Sequence, residues 1–102
     1  MSDFPKPVIE DPKIEALTIL AEEAAEIIQE VTKALRFGIE HRHPAKDYDA
    51  MDGLSREIGQ FVAVLRVLRH AGLIRDEERE AGIREKIEKL RVFSNIPEDW
   101  LE

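Results

Sequence analysis

The chain has 102 residues, a length that allows one compact domain with a modest core. Its formal net charge of −7 argues against nucleic acid as a partner, because proteins that bind duplexes carry clustered Lys and Arg. The sequence contains no cysteine, which excludes disulfides, zinc–thiolate sites and thiol nucleophiles.

Residues 1–11 are polar and proline-containing and lack the apolar run of a secretory signal. No later stretch approaches the roughly 20 apolar residues that a transmembrane helix needs. We therefore expect a flexible segment over residues 1–11 and a single domain over residues 12–102. We also expect no membrane partner and a cytoplasmic location.

The first helix is predicted over residues 12–37. Asp11 can cap it, Pro12 suits its first turn, and the next strong breaker is Gly38. Apolar side chains recur within it at spacings of three and four, the period of one helical face. This stripe consists of Ile14, Leu17, Ala21, Ala24, Ile28, Val31 and Leu35. We expect it to face the core.

Residues 38–48 form a polar connection, and Asp47 or Asp49 can cap a second helix over residues 49–71. The second stripe consists of Met51, Leu54, Ile58, Phe61, Val62, Leu65 and Leu68. A third helix, over residues 76–92, has a narrower apolar face. Trp100 is expected to anchor the tail against the same or a neighbouring subunit.

Three amphipathic helices without strand-like alternation predict an all-α helical bundle. The first two helices carry more apolar surface than they can bury against each other. Pairing with the same helices of a second chain would complete a four-helix core, so we expect a homodimer or a dimer-of-dimers tetramer.

The first helix also carries an acidic cluster. Glu22 and Glu26, and likewise Glu26 and Glu30, are i,i+4 neighbours, and such like-charge pairs destabilise a helix by a few tenths of a kcal/mol. A divalent cation such as Mg²⁺, which prefers oxygen ligands, would reverse that penalty. The alternative interpretation is an acidic face in contact with solvent.

Glu57 on the second helix gives a stronger indication. Its position falls within the apolar arc, between Val64 and Leu68, where a carboxylate is unfavourable unless it is paired or bound to metal. The structural alternative is an ion pair with Lys33 or a neighbouring arginine. Carboxylates on facing helices are the usual ligands of metal sites inside helical bundles.

These motifs resemble the MazG-like nucleotide pyrophosphohydrolases, the short phage and bacterial members in particular. The family signature is Glu-Glu-x-x-Glu, a spacer and Glu-x-x-Asp. Here it corresponds to Glu22-Glu23-Ala24-Ala25-Glu26 and Glu57-Ile58-Gly59-Gln60. Residues 29–38 and 89–96 also resemble that family, so the resemblance covers most of residues 17–96. The departure is Gln60, which replaces the aspartate of the second motif.

The resemblance implies a Mg²⁺-dependent enzyme, with Mn²⁺ as a substitute, that converts a nucleoside triphosphate and water into a monophosphate and pyrophosphate. Glu23, Glu26 and Glu57 would hold the metal, with Gln60 as an uncharged fourth ligand. Glu22 is a further candidate catalytic residue, because either Glu22 or Glu30 could activate the attacking water. By resemblance alone, purine deoxynucleotides such as dATP or dGTP are the first substrates to test. A phage-encoded chain would act in the host cytoplasm.

The substrate-binding candidates are Lys33, Arg36 and Asn95. Lys33 lies about two turns beyond Glu26 on the same face and could meet the triphosphate, or it could pair with Glu30. Arg36 is one turn further and less well aligned. Asn95 could read a base or sugar, or it could cap a turn before Pro97. The histidines His41, His43 and His70 show no ligand spacing and are interpreted as surface or packing residues.

Two other hypotheses compete with an active enzyme. In the first, Gln60 has abolished catalysis and the chain is a nucleotide-binding regulatory protein of the same fold. In the second, the chain is a dimeric adaptor whose acidic face is solvated. Metal binding in the presence of a nucleotide separates the adaptor from the other two, and pyrophosphate release separates the enzyme from the regulator.

Overall fold

The computed structural model describes residues 3–42, 44–45 and 47–102, and within them it is all-α, as predicted. The elements are α1 (Pro12–Phe37), α2 (Ala50–His70), α3 (Asp76–Phe93) and a short 3-10 helix, η1 (Glu98–Trp100). The described residues contain no strand, only an isolated bridge between Arg42 and Asp49. None of the described helices is long and apolar enough to cross a membrane. Met1, Ser2 and His43 lie outside the described residues, and so does the interpretation of His43 as a surface or packing residue.

The ends of α1 follow from local chemistry. The Asp11 side chain accepts a hydrogen bond of 2.9 Å from the backbone N–H of Lys13, and Pro12 occupies the first turn. At the other end Gly38 adopts a φ of 103° and donates its N–H to the Ala34 carbonyl. A positive φ favours glycine, which is why the helix stops before Gly38. The predicted limits of the first helix, residues 12–37, are confirmed.

α2 begins with a capping box. The Asp49 carboxylate accepts from the backbone N–H of Asp52 at 2.9 Å, and the Asp52 carboxylate accepts from the Asp49 N–H at 3.1 Å. The helix ends at His70, two residues before Gly72, whose φ is 75°, and the N–H of Leu73 bonds back to the Leu68 carbonyl in a Schellman arrangement. Of the two predicted caps, Asp49 is therefore the one used.

α1 and α2 form an antiparallel hairpin, the one extensive interhelical contact among the described elements. Small residues lie at this contact. Ala16 and Ala34 of α1 and Gly53 of α2 are buried, together with Leu68. The half-buried side chains Leu54, Phe61, Val64 and Leu65 occupy the same arc of α2.

The expectation that the predicted stripe of α1 faces the core is wrong within the chain. Most of that stripe is exposed, including Leu17, Ile28, Val31 and Leu35. The reason is that α2 packs on the neighbouring arc, where Ala16 and Ala34 let the two backbones approach. Met51, Ile58 and Val62 of the second stripe are likewise exposed.

α3 projects from the end of the hairpin. Arg69 donates to Asp76 from Nε at 2.9 Å and from Nη2 at 2.8 Å, which fixes the start of α3 beside the end of α2. Arg91 similarly binds Glu98 and holds the tail against α3. Within the chain, Trp100 does not anchor the tail, since it is 73% exposed, and Leu101 is buried instead.

Candidate metal-binding site

The hairpin brings carboxylates of both helices together. On α1, Glu23 and Glu30 share the arc of the buried alanines, so they point towards α2, and both are half-buried. On α2, Glu57 shares the arc of Leu68 and is also half-buried. The prediction that Glu57 lies in the helix–helix contact, not on the wet side, is confirmed.

In two of these carboxylates, one oxygen atom lacks a hydrogen-bond partner. The Oε2 atoms of Glu23 and Glu57 are buried, and neither accepts a hydrogen bond from any described residue. A buried acceptor without a partner is unfavourable by about 1–3 kcal/mol, and more if it is charged. A proton or a cation would satisfy these oxygens.

The electrostatic environment of Glu57 also favours a proton or a cation at its carboxylate. Desolvation raises the pKa of its carboxyl above the ordinary value, and the negative charges of Glu26, Glu23 and Glu30 raise it further, while Lys33 opposes the shift. Four carboxylates from two helices therefore interact within one region. Charges that repel one another in this way are the usual environment of a cation site.

Among the described residues no ion pair joins Glu57 to a cationic side chain, although Lys33 is near enough to lower the pKa of Glu57. Lys33 instead pairs with Glu30, with Nζ 3.8 Å from Oε1, which is the alternative considered for Lys33. This contact is loose, and Lys33 remains 61% exposed. Its predicted role in binding phosphate stays a prediction.

Glu30 has a better-defined position than the sequence indicated. Its Oε2 lies only 2.9 Å from the place where a Cβ on Gly53 would be, and the Tyr48 ring is 3.3 Å from the same place. A Cβ there would require the Glu30 carboxylate to move aside. Tyr48 also stacks under Arg56, whose guanidinium carbon is 4.4 Å from the ring centroid. Neither Gly53 nor Tyr48 is predicted from the sequence to take part in the site, because the contact joins distant parts of the chain.

The other predicted metal and catalytic residues are more exposed. Glu26 is exposed but close enough to Glu57 to raise its pKa. Glu22 is exposed and is not among the groups that shift Glu57. Gln60 is exposed one turn after Glu57, on the side of α2 that carries the polar residues. These side chains lie on the solvent side of the buried pair, the Oε2 atoms of Glu23 and Glu57.

Two of the predicted substrate-binding residues lie away from the buried pair. Arg36 is exposed at the end of α1, with its guanidinium carbon 4.9 Å from the Phe37 ring centroid. Asn95 follows α3, which packs extensively on neither α1 nor α2, so the chain itself does not bring it to the carboxylates. The turn before Pro97 uses Ser94, whose hydroxyl accepts from the Ile96 N–H at 3.2 Å.

The donors fit Mg²⁺ in chemistry but do not form a closed cage. Among the described residues, no group of three or more His, Cys, Asp or Glu side chains is placed so that it could hold a metal ion. Mg²⁺ does not require one, because it keeps several waters and is commonly held by one or two carboxylates together with substrate phosphates. The unpartnered oxygens of Glu23 and Glu57 are donors of the chemical type that such a site uses.

The fold and the site together define an all-α hairpin with an acidic cluster between its helices. Comparisons of the chain with family models, with curated proteins and with solved structures gave no match.

Proposed function

We propose that the protein is a Mg²⁺-dependent nucleoside triphosphate pyrophosphohydrolase of the MazG-like type. It would convert a (d)NTP and water into a (d)NMP and pyrophosphate. The observation that carries the proposal is the pair of buried, unpartnered carboxylate oxygens of Glu23 and Glu57 on facing helices. The resemblance of residues 22–26 and 57–60 to the family signature supports the same reaction.

Each residue has a distinct part in this proposal. Glu23, Glu26 and Glu57 would hold the metal, and the amide oxygen of Gln60 would be a weaker, uncharged donor. The bound cation would neutralise phosphate charge as the bond between the α- and β-phosphates breaks. Glu30, held between Gly53 and Lys33, is the better-positioned candidate to orient the attacking water, with Glu22 as the alternative.

The charge distribution is compatible with an anionic substrate. Lys33 and Arg36 are exposed at the C-terminal end of α1, close in sequence to Glu30, and they can meet the terminal phosphates of a triphosphate. The net charge of −7 would otherwise repel a nucleotide, so binding should depend on the divalent cation. Purine deoxynucleotides are the substrates that the resemblance favours.

The test is a pyrophosphate-release assay over the common NTPs and dNTPs with Mg²⁺ or Mn²⁺. We expect release of pyrophosphate and monophosphate in equal amounts, and loss of the activity with EDTA. A matched control is Glu85→Gln, which removes an exposed carboxylate of α3 and should leave turnover unchanged. Absence of turnover with every nucleotide and both metals would refute an enzymatic role.

One observation favours a second candidate, a nucleotide-binding regulator without catalysis. Gln60 supplies no charge where the family signature has an aspartate, which weakens attraction to the cation. In that case the chain would bind a metal–nucleotide complex without hydrolysing it. Binding without turnover identifies the regulator, and absence of both identifies a protein–protein adaptor.

A further inference from the structure

The end of α2 and the start of α3 form a cleft with a basic rim, here called the arginine cleft. Its volume is about 310 Å³, and it is lined by Val62, Leu65, Arg66, Arg69, Ile74 and Arg79. The four lining residues from α2 are spaced i, i+3, i+4 and i+7, so they lie on one face of that helix. A neighbouring cleft shares Arg66 and Arg69 and adds His70. The ion pair between Arg69 and Asp76 fixes α3 beside this face, so both helices contribute to one site.

The local charge at the arginine cleft is opposite to that of the chain. Residues 58–75 contain three arginines and form the longest stretch of the sequence without an acidic residue, whereas the whole chain carries −7. Basic side chains in the last turn of a helix interact favourably with its dipole, which explains Arg69 and His70. This reason does not extend to Arg66, which lies one turn earlier. Within the described residues, Arg66 forms neither an ion pair nor a hydrogen bond.

The guanidinium groups of the rim keep hydrogen-bond donors for a ligand. Arg69 donates to Asp76 through Nε and Nη2, and its Nη1 has no acceptor in the part of the chain that the structure describes. Arg79 donates to Glu80 from Nη2, the one side-chain hydrogen bond it makes to a described residue. The remaining donors of these two arginines, together with those of Arg66, line the same cleft. Guanidinium donors bind phosphate oxygens in bidentate pairs, so the rim suits an anion of this kind.

The wall of the arginine cleft between its basic groups is apolar. Val62 and Leu65 of α2 and Ile74 of the α2–α3 connection form this wall. Apolar walls with a few polar groups, in a volume of about 300–1,000 Å³, are typical of sites for small molecules. An inorganic anion would leave the wall uncovered, so we expect the ligand to carry an apolar substituent beside its charged group.

The arginine cleft is separate from the carboxylate cluster. Arg66 follows Glu57 by nine residues, which corresponds to about 13 Å along α2 and to the opposite face of that helix. A ligand held by Arg66 therefore does not reach the carboxylate of Glu57. Occupancy of the cleft and binding of metal can be measured independently of each other.

We propose that the arginine cleft binds a small, soluble organic phosphomonoester. Its phosphate lies among the guanidinium groups of Arg66, Arg69 and Arg79, and its apolar substituent covers the wall formed by Val62, Leu65 and Ile74. A phosphomonoester carries a charge of about −1.5 to −2 at pH 7 and offers three acceptor oxygens. It therefore matches three arginines better than a carboxylate, which has one charge and two oxygens.

The test is a calorimetric titration of the full-length protein with hexyl phosphate, inorganic phosphate and hexanoate. The buffer contains EDTA and no nucleotide, so the result does not depend on the proposed metal-dependent hydrolysis. We expect hexyl phosphate to bind at least about tenfold more tightly than inorganic phosphate, because its alkyl chain covers the apolar wall. Hexanoate should bind more weakly than hexyl phosphate, because it has less charge. Equal affinities for hexanoate and hexyl phosphate, or no binding of hexyl phosphate at millimolar concentrations, would overturn the proposal.

A matched pair of variants locates the ligand. Arg66→Gln removes an exposed guanidinium from the cleft and should weaken binding of hexyl phosphate at least about tenfold. Arg84→Gln removes an exposed guanidinium of α3 that does not line the cleft, and it should change the affinity by less than about twofold. An unchanged affinity in Arg66→Gln, or equal losses in both variants, would contradict binding in the cleft. Binding to vesicles that contain phosphatidic acid, without binding of hexyl phosphate, would identify a lipid headgroup as the occupant and refute a soluble ligand.

Discussion

Gly53→Ala tests the close approach of Glu30 to α2. In a helix interior, replacing glycine by alanine normally stabilises by about 0.8–1.0 kcal/mol, because glycine loses more backbone entropy on folding. At Gly53 the new methyl would lie 2.9 Å from Glu30 Oε2 and 3.3 Å from Tyr48 Cε2. The Glu30 carboxylate is the far end of a flexible side chain and can move aside, so the remaining opposition comes mainly from the Tyr48 ring. We therefore expect Gly53→Ala to stabilise the fold by clearly less than about 0.8 kcal/mol, or not at all.

The matched control is Gly59→Ala in the same helix, where an added Cβ meets nothing within 4 Å. That variant should show the full gain of about 1 kcal/mol. Urea denaturation of both variants at one fixed protomer concentration measures the difference, since association shifts apparent stability. Equal stabilisation by the two substitutions would refute the placement of Glu30 against Gly53. Because the Glu30 carboxylate is the group that must move, Gly53→Ala should also lower any metal-dependent turnover.

Three further predictions concern the carboxylate cluster. The pKa of Glu57 is raised above its ordinary value of 4.5, so its ionised form destabilises the folded chain as the pH rises above 4.5. In metal-free buffer Glu57→Gln should therefore raise Tm at neutral pH, and the gain should disappear as the pH falls below 4.5. Unfolding of Glu57→Gln at neutral pH would instead indicate a structural ion pair. Glu26→Gln should abolish hydrolysis and leave the circular dichroism spectrum native, and unchanged turnover at saturating Mg²⁺ would remove Glu26 from the site. Gln60→Asp should lower the Mg²⁺ concentration at half-maximal activity, because a carboxylate adds Coulomb attraction; an unaltered midpoint would show that Gln60 does not contact the metal.

The helix limits could be predicted because their causes are local. Asp11, Gly38, Asp49 and Gly72 act on backbone groups within a few residues of themselves, so their effect is visible in the sequence. Periodicity likewise identifies which residues share a face. Periodicity does not identify what that face packs against. It therefore predicts that the apolar stripe of α1 faces the core, whereas α2 packs on the neighbouring arc, which contains Ala16.

Within the site, only the position of Glu57 could be predicted, because its cause is also local. Glu57 lies inside an apolar arc, so its inward position follows from its own helix. The position of Glu30 depends on Gly53 and Tyr48, residues more than a dozen positions away, and only the packed hairpin brings them together. The contact of Arg69 with Asp76, which directs α3 away from the hairpin, equally depends on the turn between α2 and α3.

The most direct test of the metal-site proposal is calorimetric. A preformed complex of Mn²⁺ with a dATP analogue that resists cleavage between the α- and β-phosphates is titrated into the wild-type protein, Glu57→Gln and Glu85→Gln. We expect wild type and Glu85→Gln to bind equally and Glu57→Gln to bind at least about tenfold more weakly, because it lacks the charged inward ligand. Equal affinity of all three proteins, or no binding by the wild type, would contradict a metal–nucleotide site between α1 and α2.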